Sequence, residues 1–346
     1  MSRWKQTKDF FLPAGWKGEK TDHFDGRFFR NQPRAWGADG KPIREHRSPS
    51  MMRQWLLTRQ PSRWPKWVEI PGQTKPAARI DNGPELHATF INHATILLQT
   101  AGLNILTDPV WSERCSPFAF AGPKRVHLPG VAFTDLPKID IVLLSHNHYD
   151  HLDLPTLQKL WQRDQPLILT GLGVGDFLQS QGVGAVQMDW WQSHTVQDHV
   201  IHFVPAQHFS GRSVSDFHAT LWGGFVLETK AGPVYFAGDT GEGPHFTQIN
   251  QKFGPMRFSL LPIGAYMPRW FMSLVHIGPE EAVAAHKTLN SALSLAIHWG
   301  TFHLADEGRE QPLSDLEHAL VKQNVNSQAF IYLHPGESVS VPPLSG

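Results

Sequence analysis

Residues 145–153 read Ser-His-Asn-His-Tyr-Asp-His-Leu-Asp, and they directly follow an almost unbroken apolar run at residues 139–144. Such a run is typical of a β-strand that is covered on both faces. Three imidazoles and one carboxylate fall between His146 and His151, and burying them without a counter-charge would cost free energy. A divalent cation supplies that charge, and imidazole with carboxylate is a ligand set suited to zinc or iron. The stretch therefore predicts a metal site at the end of a buried strand.

The spacing within this stretch allows two ions. In an extended turn, His146 and His148 project to the same side of the chain. The adjacent Asp150 and His151 can diverge from them towards a second ion. A pair of ions needs more ligands, and three candidates follow predicted strands later in the chain: His208, Asp239 and His298.

The three later candidates differ in what their residue types offer. Asp239 is the natural bridge, because one ionised carboxylate has two oxygens to share between two cations. Taken singly, His208 and His298 fit a core or surface histidine better than a ligand. Their shared position after strands favours ligation instead, because each side chain can then reach a common edge of the sheets.

Composition limits the class of protein. The chain has 346 residues, 31 Lys plus Arg and 31 Asp plus Glu, so no excess of positive charge favours nucleic acid as a partner. Cysteine occurs once, at Cys115, which excludes an internal disulfide and a thiolate metal cluster and favours a reducing compartment. Lysines and a proline interrupt the N-terminal apolar residues, so no secretion signal is predicted. These features predict a cytoplasmic protein, and the sequence leaves the oligomeric state open.

The chain changes texture near residue 86. Residues 1–85 are punctuated by prolines and predict an irregular N-terminal arm packed on a core, with one helix at 49–60. Residues 86–346 predict a single layered α/β domain. Asp153 is a candidate N-cap for the helix that follows it. Strands are predicted at 88–99, 103–107, 139–144, 167–170, 185–190, 199–205, 221–228, 234–237, 258–261, 293–297 and 329–333, and helices at 154–163, 175–181, 279–289 and 313–323.

The order of the candidate ligands resembles the metallo-β-lactamase superfamily, with its H-x-H-x-D-H signature followed by three later ligands. More narrowly, several short strings resemble N-acyl-phosphatidylethanolamine-hydrolysing phospholipase D. These strings are INHAT at 91–95, GPKR at 122–125, SHNHYDHLD at 145–153, FAGDTG at 236–241, IGAYMPRWFM at 263–272, GPEEA at 278–282 and AIHWGTF at 296–302.

The resemblance implies a four-layer αββα sandwich with a di-zinc centre at one edge. It implies that His146, His148 and His208 hold one zinc ion. It also implies that Asp150, His151 and His298 hold the other, and that Asp239 bridges the two. Iron or manganese are alternative metals.

The resemblance further implies a phosphodiesterase of phospholipase D type, which acts on N-acyl-phosphatidylethanolamine, a related phospholipid or a small phosphodiester. A hydroxide that bridges the two metals would attack phosphorus in line. Asp150 would orient this hydroxide while binding its ion. His276 matches a pocket histidine of the lipase and would contact a phosphate oxygen or protonate the leaving alkoxide, with a solvated loop histidine as the alternative. Asp108 is a candidate acceptor for a ligand imidazole, or a turn residue before Pro109.

Two other functions stay open at this point. The same metals could serve a lactone or amide hydrolase, or they could stabilise a non-catalytic binding protein. Lys124, Arg125 and Arg269 could attract an anionic head group. Peripheral contact with the inner membrane face is a further option, because aromatic residues and lysines alternate in the arm at Trp4, Lys5, Lys8, Phe10, Phe11, Trp16 and Lys17.

Overall fold

Two seven-stranded mixed β-sheets form the body of the computed structural model, which describes residues 15–36, 42–43, 48–80, 83–213 and 215–344. The first sheet contains, in spatial order, Ser338–Val341 (β16), Leu86–Asn92 (β3), Thr95–Thr100 (β4), Leu103–Thr107 (β5), Ile141–Leu144 (β6), Leu167–Gly171 (β7) and Val186–Met188 (β8). The second contains Phe330–Ile331 (β15), Leu293–Ile297 (β14), Phe258–Pro262 (β13), Val234–Phe236 (β12), Gly224–Glu228 (β11), His199–Val204 (β10) and Ser193–Val196 (β9).

Helices cover the outer faces of both sheets. Helices α2 (Leu154–Asp164) and α3 (Val174–Ser180) pack on the first sheet. Helices α4 (His245–Phe253), α6 (Pro279–Thr288) and α7 (Gln311–Lys322) pack on the second. The four layers confirm the predicted αββα sandwich. The remaining elements are the short strands β1 (Ala35–Trp36) and β2 (Pro42–Ile43), the helices α1 (Pro49–Thr58) and α5 (Arg269–Met272), and a 3-10 turn at Phe133–Asp135.

Strand β6 shows why the apolar run before the histidine-rich turn is continuous. Ile141 and Leu143 lie in the core between the two sheets. Val142 and Leu144 belong to the second apolar cluster, under α2 and α3. Because successive side chains of a strand point to opposite faces, both faces of β6 must be apolar.

The strand directions bring one end of each sheet to a common edge. Strands β5, β6, β7 and β8 are parallel to one another, as are β12 to β15. Strand β10 runs in the same direction as β12, because both are antiparallel to β11. The carboxyl ends of these strands meet at one edge of the sandwich, because His151, which follows β6 of the first sheet, contacts Asp239, which follows β12 of the second.

The structure corrects two local predictions. The strand predicted at 88–99 is two strands, because the chain turns at His93, whose φ of 46° lies in the left-handed region. Asp153 occupies the N-cap position of α2, but its carboxylate does not cap the helix backbone. It accepts hydrogen bonds from the backbone N–H groups of Trp111 and Ser112 instead. The prediction did not include β1, β2, β9, β16, α4 or α5.

The described part of the arm packs on the core. Phe24 and Phe29 are fully buried in the main apolar cluster, and Trp16 packs against it. In α1, the Trp55 ring stacks on Phe271 with centroids 5.0 Å apart. Trp4, Lys5, Lys8, Phe10 and Phe11 lie outside the described residues, and the division of the chain at residue 85 stays a prediction. Among the described residues, no helix has both the length and the apolar character needed to cross a membrane.

Candidate metal centre

Asp108 joins the end of β5 to the histidine-rich turn. Its Oδ1 accepts the Ser145 backbone N–H at 2.8 Å, and its Oδ2 accepts the Ser145 hydroxyl at 2.6 Å. The same Oδ2 lies 2.6 Å from His151 Nδ1. A carboxylate only accepts, so His151 donates its Nδ1–H and turns Nε2 towards the other ligands.

Three imidazoles form the first group of the centre. His148 Nδ1 lies 2.8 Å from His146 Nε2 and 3.2 Å from His208 Nε2. His146 Nδ1 contacts the Ser145 hydroxyl oxygen, whose proton is directed to Asp108, so His146 donates there. His208 Nδ1–H donates to the Val275 carbonyl at 2.8 Å. Two Nε2 lone pairs therefore point at the same atom of His148.

A second group surrounds the carboxylate of Asp150. Asp150 Oδ2 lies 3.0 Å from His93 Nε2, 3.4 Å from His151 Nε2 and 3.3 Å from His298 Nε2. His93, His151 and His298 are buried, whereas the Asp150 side chain keeps 13% of its accessible surface. Sequence reasoning quoted His93 in the INHAT string but gave it no role.

Asp239 lies between the two groups. Its Oδ2 is 3.1 Å from His151 Nε2 and 3.2 Å from His298 Nε2. The same oxygen is 3.7 Å from His208 Nε2 and 3.9 Å from His146 Nε2. This is the position that a bridging carboxylate requires. The structure thus brings together all seven residues that the sequence predicted as ligands: His146, His148, Asp150, His151, His208, Asp239 and His298.

The electrostatics of the two groups differ. In the first group, burial and the neighbouring imidazoles hold the pKa of His146 and of His208 well below the usual value for histidine. In the second, burial opposes the charged form of His298, but Asp239 and Asp150 outweigh it and raise its pKa to about 9. Burial likewise opposes ionisation of Asp239, and the imidazoles of His151 and His298 overcome it and lower its pKa. The carboxylates of Asp150 and Asp239 therefore stabilise positive charge in the space that they share with the imidazoles.

The donor set fits metal ions. In the first group, one proton on His148 Nδ1 cannot form full hydrogen bonds to the Nε2 lone pairs of both His146 and His208. A metal cation can bind all three nitrogens. In the second group His151 Nε2 faces two carboxylates after its Nδ1–H has been donated to Asp108. Two ligands of one tetrahedral zinc ion lie roughly 3.3 Å apart, given metal–ligand distances of about 2.0–2.1 Å. The separations within the two groups, 2.8–3.4 Å, lie at or somewhat below this value.

His276 also reaches the centre. Its Nδ1 lies 3.9 Å from Asp239 Oδ2, and its ring centroid is 5.0 Å from that of His208 and 5.5 Å from that of His298. The residue is buried on the loop between α5 and α6. This position disagrees with the alternative of a solvated loop histidine.

The cations proposed for a head group have other partners. Arg269 forms an ion pair with Glu281 at 2.8 Å and donates to the carbonyl oxygens of Tyr266 and His276. Arg125 is buried and donates to main-chain carbonyls. Lys124 forms an ion pair with Glu113 at the surface. Arg269 and Arg125 thus hold loops together, and neither presents a free cation to a ligand.

A family model described as the beta-lactamase superfamily domain matches residues 103–299, which include every predicted ligand. The chain belongs to the metallo-β-lactamase superfamily. The chain is also similar to a protein of Methanopyrus kandleri described as a metal-dependent hydrolase, with 28% identity over 73% of this chain and 99% of the other. In this chain, the buried cluster of His and Asp residues is the candidate metal site.

Similarity to curated proteins extends beyond residues 103–299 of the chain. An uncharacterized protein of Mycobacterium tuberculosis is 37% identical over 89% of this chain and 93% of its own length. The N-acyl-phosphatidylethanolamine-hydrolyzing phospholipase D 1 of Caenorhabditis elegans is 35% identical over 73% of this chain and 75% of its own. The mitochondrial protein of the same description from Saccharomyces cerevisiae is 38% identical over 62% of this chain and 48% of its own. The chain thus spans about half of the yeast protein.

Solved structures support the superfamily fold. An isothiocyanate hydrolase from Delia radicum gut bacteria matches with a TM-score of 0.60 and 23% identity, over 75% of this chain and 100% of its own. The metallo hydrolase Igni18 of Ignicoccus hospitalis matches with a TM-score of 0.56 and 20% identity, over 74% and 98%. At these identities the likeness concerns the fold alone.

Proposed function

We propose that this superfamily member is a di-zinc phosphodiesterase of phospholipase D type, which acts on N-acyl-phosphatidylethanolamine or a related phospholipid. The observation that carries the proposal is the position of Asp239 Oδ2, within 3.9 Å of imidazole nitrogens from both ligand groups. The described activity of the worm and yeast relatives supports the choice of substrate.

The residues divide between two ions. His146, His148 and His208 would hold one ion, and Asp150, His151 and His298 would hold the other, with Asp239 shared. Bound zinc, iron or manganese ions supply Lewis acidity towards the phosphate and lower the pKa of water. Asp108 fixes the orientation of His151 through its 2.6 Å hydrogen bond.

In this proposal, Asp150 and His276 have the acid–base roles. Asp150 Oδ2 faces three imidazoles, so its other oxygen, Oδ1, accepts a hydrogen bond from the attacking water and orients it. His276 lies beside Asp239, and its ring is close to those of both His208 and His298. It donates a proton to the leaving oxygen or a hydrogen bond to the phosphate. The products are phosphatidic acid and the N-acylated ethanolamine.

Partners and location follow from the substrate class. A phospholipid or small phosphodiester would be the substrate, and nucleic acid would not bind, since the net charge of the chain is zero. A cytoplasmic enzyme with peripheral contact at the inner membrane face would meet such a lipid.

The test is turnover by the purified, zinc-loaded chain in mixed micelles of detergent and N-acyl-phosphatidylethanolamine. The proposal is supported if the wild-type chain releases phosphatidic acid and the Asp239→Asn variant releases none. A chain that cleaves lactones or amides while phosphodiesters stay intact would overturn it. A zinc-loaded, folded chain with no hydrolytic activity at all would favour a metal-stabilised binding protein.

A further inference from the structure

Residues 31–34 of the N-terminal arm lie against the metal centre. Asn31 Nδ2–H donates to the His208 carbonyl at 2.9 Å, and Asn31 Oδ1 accepts the His208 backbone N–H at 3.0 Å. The indole N–H of the buried Trp222 donates to the same Oδ1 at 2.9 Å. One amide side chain thus holds both backbone polar groups of a predicted ligand.

Arg34 stabilises the loop that contacts the His208 ring. Its Nη2 donates to the carbonyl oxygens of Ser273 and Leu274, at 3.1 and 2.9 Å. The next carbonyl, that of Val275, accepts the Nδ1–H of His208. Arg34 therefore fixes the loop that sets the tautomer and ring orientation of His208.

A third contact ties the arm to the loop that carries Asp239. Gln207 Nε2–H donates to the Gln32 carbonyl at 2.9 Å. The Gln207 backbone N–H donates to the hydroxyl of Thr240, and its carbonyl accepts the N–H of Gly241. The arm, the His208 loop and the Asp239 loop thus form one hydrogen-bonded unit.

We propose that Asn31 and Arg34 are positioning residues of the metal centre, which hold His208 so that its Nε2 faces His146 and His148. The inference rests on the metal site of the proposed function, but on no property of the substrate. A ligand that is held from both its backbone and its ring loses little conformational entropy when an ion binds. Loss of such supporting contacts typically weakens metal binding about 10–100-fold.

The experiment measures metal affinity in the full chain without substrate. Wild type, Asn31→Ala, Arg34→Met and Arg34→Lys are stripped of metal and titrated with Zn²⁺ against a chromophoric chelator. A parallel titration with Co²⁺ follows the ligand-field absorption spectrum. We expect Asn31→Ala and Arg34→Met to bind one of the two ions about 10–100-fold more weakly, with a changed Co²⁺ spectrum. Arg34→Lys, which keeps donors for the two carbonyls, restores most of the affinity.

Two arm variants serve as matched controls. Arg30 pairs with Asp25 at the surface, and His23 pairs with Asp189, and neither pair includes a predicted ligand. Arg30→Met and His23→Gln should lower the melting temperature at most, with wild-type affinity and spectrum. Wild-type affinity and spectrum in both Asn31→Ala and Arg34→Met would overturn the proposal. Equal loss of affinity in the controls would overturn it too, because the arm would then act through stability alone. Failure of the phosphodiesterase assay alone leaves the inference standing.

Discussion

His93 Nε2 donates a hydrogen bond to Asp150 Oδ2 at 3.0 Å, and the His93 ring lies 3.9 Å from the His298 ring. The His93 backbone is fixed as well, because its N–H donates to the Thr301 hydroxyl and its carbonyl accepts the His298 N–H. His93 thus supports two predicted ligands from a turn that contains no predicted ligand.

Replacement of His93 by alanine should free Asp150 and lower kcat about tenfold or more, since loss of a contact that orients a ligand weakens the centre. His93→Gln keeps a donor at the position of Nε2 and should retain most of the activity. The measurement is kcat and zinc content side by side. His87→Ala, at a partly exposed position of β3 away from the centre, is the matched control. Equal activities of His93→Ala and wild type would contradict this prediction.

Asp108→Asn should weaken zinc binding about 10–100-fold, because either orientation of the amide replaces one accepting oxygen with an NH2 group. That oxygen accepts either the Ser145 backbone N–H or both the Ser145 hydroxyl and His151. The unsatisfied buried donors should also cost about 1–3 kcal/mol of unfolding free energy. Competition with a chelator and denaturant unfolding measure the two effects. Asp135→Asn, a more exposed substitution in the 3-10 turn, should change neither.

His276→Gln should lower kcat about 10²-fold or more while zinc content stays at the wild-type level, because His276 is proposed as a proton donor and is not a predicted ligand. Metal analysis and turnover on one preparation distinguish the two roles. A variant that loses zinc in proportion to activity would show that His276 holds an ion.

Zinc removal should destabilise the fold. A ligand present at 100 times its Kd adds about 2.7 kcal/mol of unfolding free energy, provided that it binds only the folded chain. We therefore expect chelation to lower the melting temperature by about 5 °C or more, reversibly on addition of zinc. Asp239→Asn should show a much smaller shift, because both ions lose a ligand. An unchanged melting temperature after complete removal of metal from the wild type would contradict a structural contribution of the ions.

Acid should destabilise the protein partly through His245, a buried residue at the start of α4 that is not a predicted ligand. Burial, and then the charge of Arg34, lower the pKa of His245 from 6.5 to about 3. Below pH 6.5 the unfolded chain binds a proton that the folded chain excludes. This contribution to stability is therefore complete above pH 6.5 and declines as the pH falls towards 3. At pH 5 the loss should be about 2 kcal/mol.

His245→Gln tests this pH dependence. Gln can still donate to the Thr240 hydroxyl, which His245 Nε2 contacts at 3.1 Å, but it does not titrate. Urea unfolding at pH 7 and pH 5 gives the free energy of unfolding of both proteins. Between pH 7 and pH 5, the value for wild type should fall by about 2 kcal/mol more than the value for His245→Gln. A constant difference would mean that His245 is protonated in the folded chain.

The sequence predicted the features that depend on strand order and residue type. An apolar run followed by a dense cluster of histidines predicted β6 and its turn, and strand ends predicted His208, Asp239 and His298. His93 received no role because it stands alone between β3 and β4, which read as one strand. Asn31 and Arg34 received none because they contact main-chain carbonyls far away in sequence, which no local pattern encodes. Helix α4 was missed although its buried residues His245, Phe246 and Ile249 follow helical spacing, because it is only nine residues long and directly follows a Gly and Pro segment that is typical of a loop.

The contacts of the arm also bear on the order in which the molecule is assembled. Asn31 meets a partner 177 positions further along the chain, and Arg34 meets one 240 positions away. During synthesis the arm leaves the ribosome before these partners, yet its binding surface is complete only after residue 275 has emerged. Long-range closure of this kind slows folding. The arm must therefore wait while about 240 further residues are made, and its docking beside the candidate metal centre belongs to a late stage of folding.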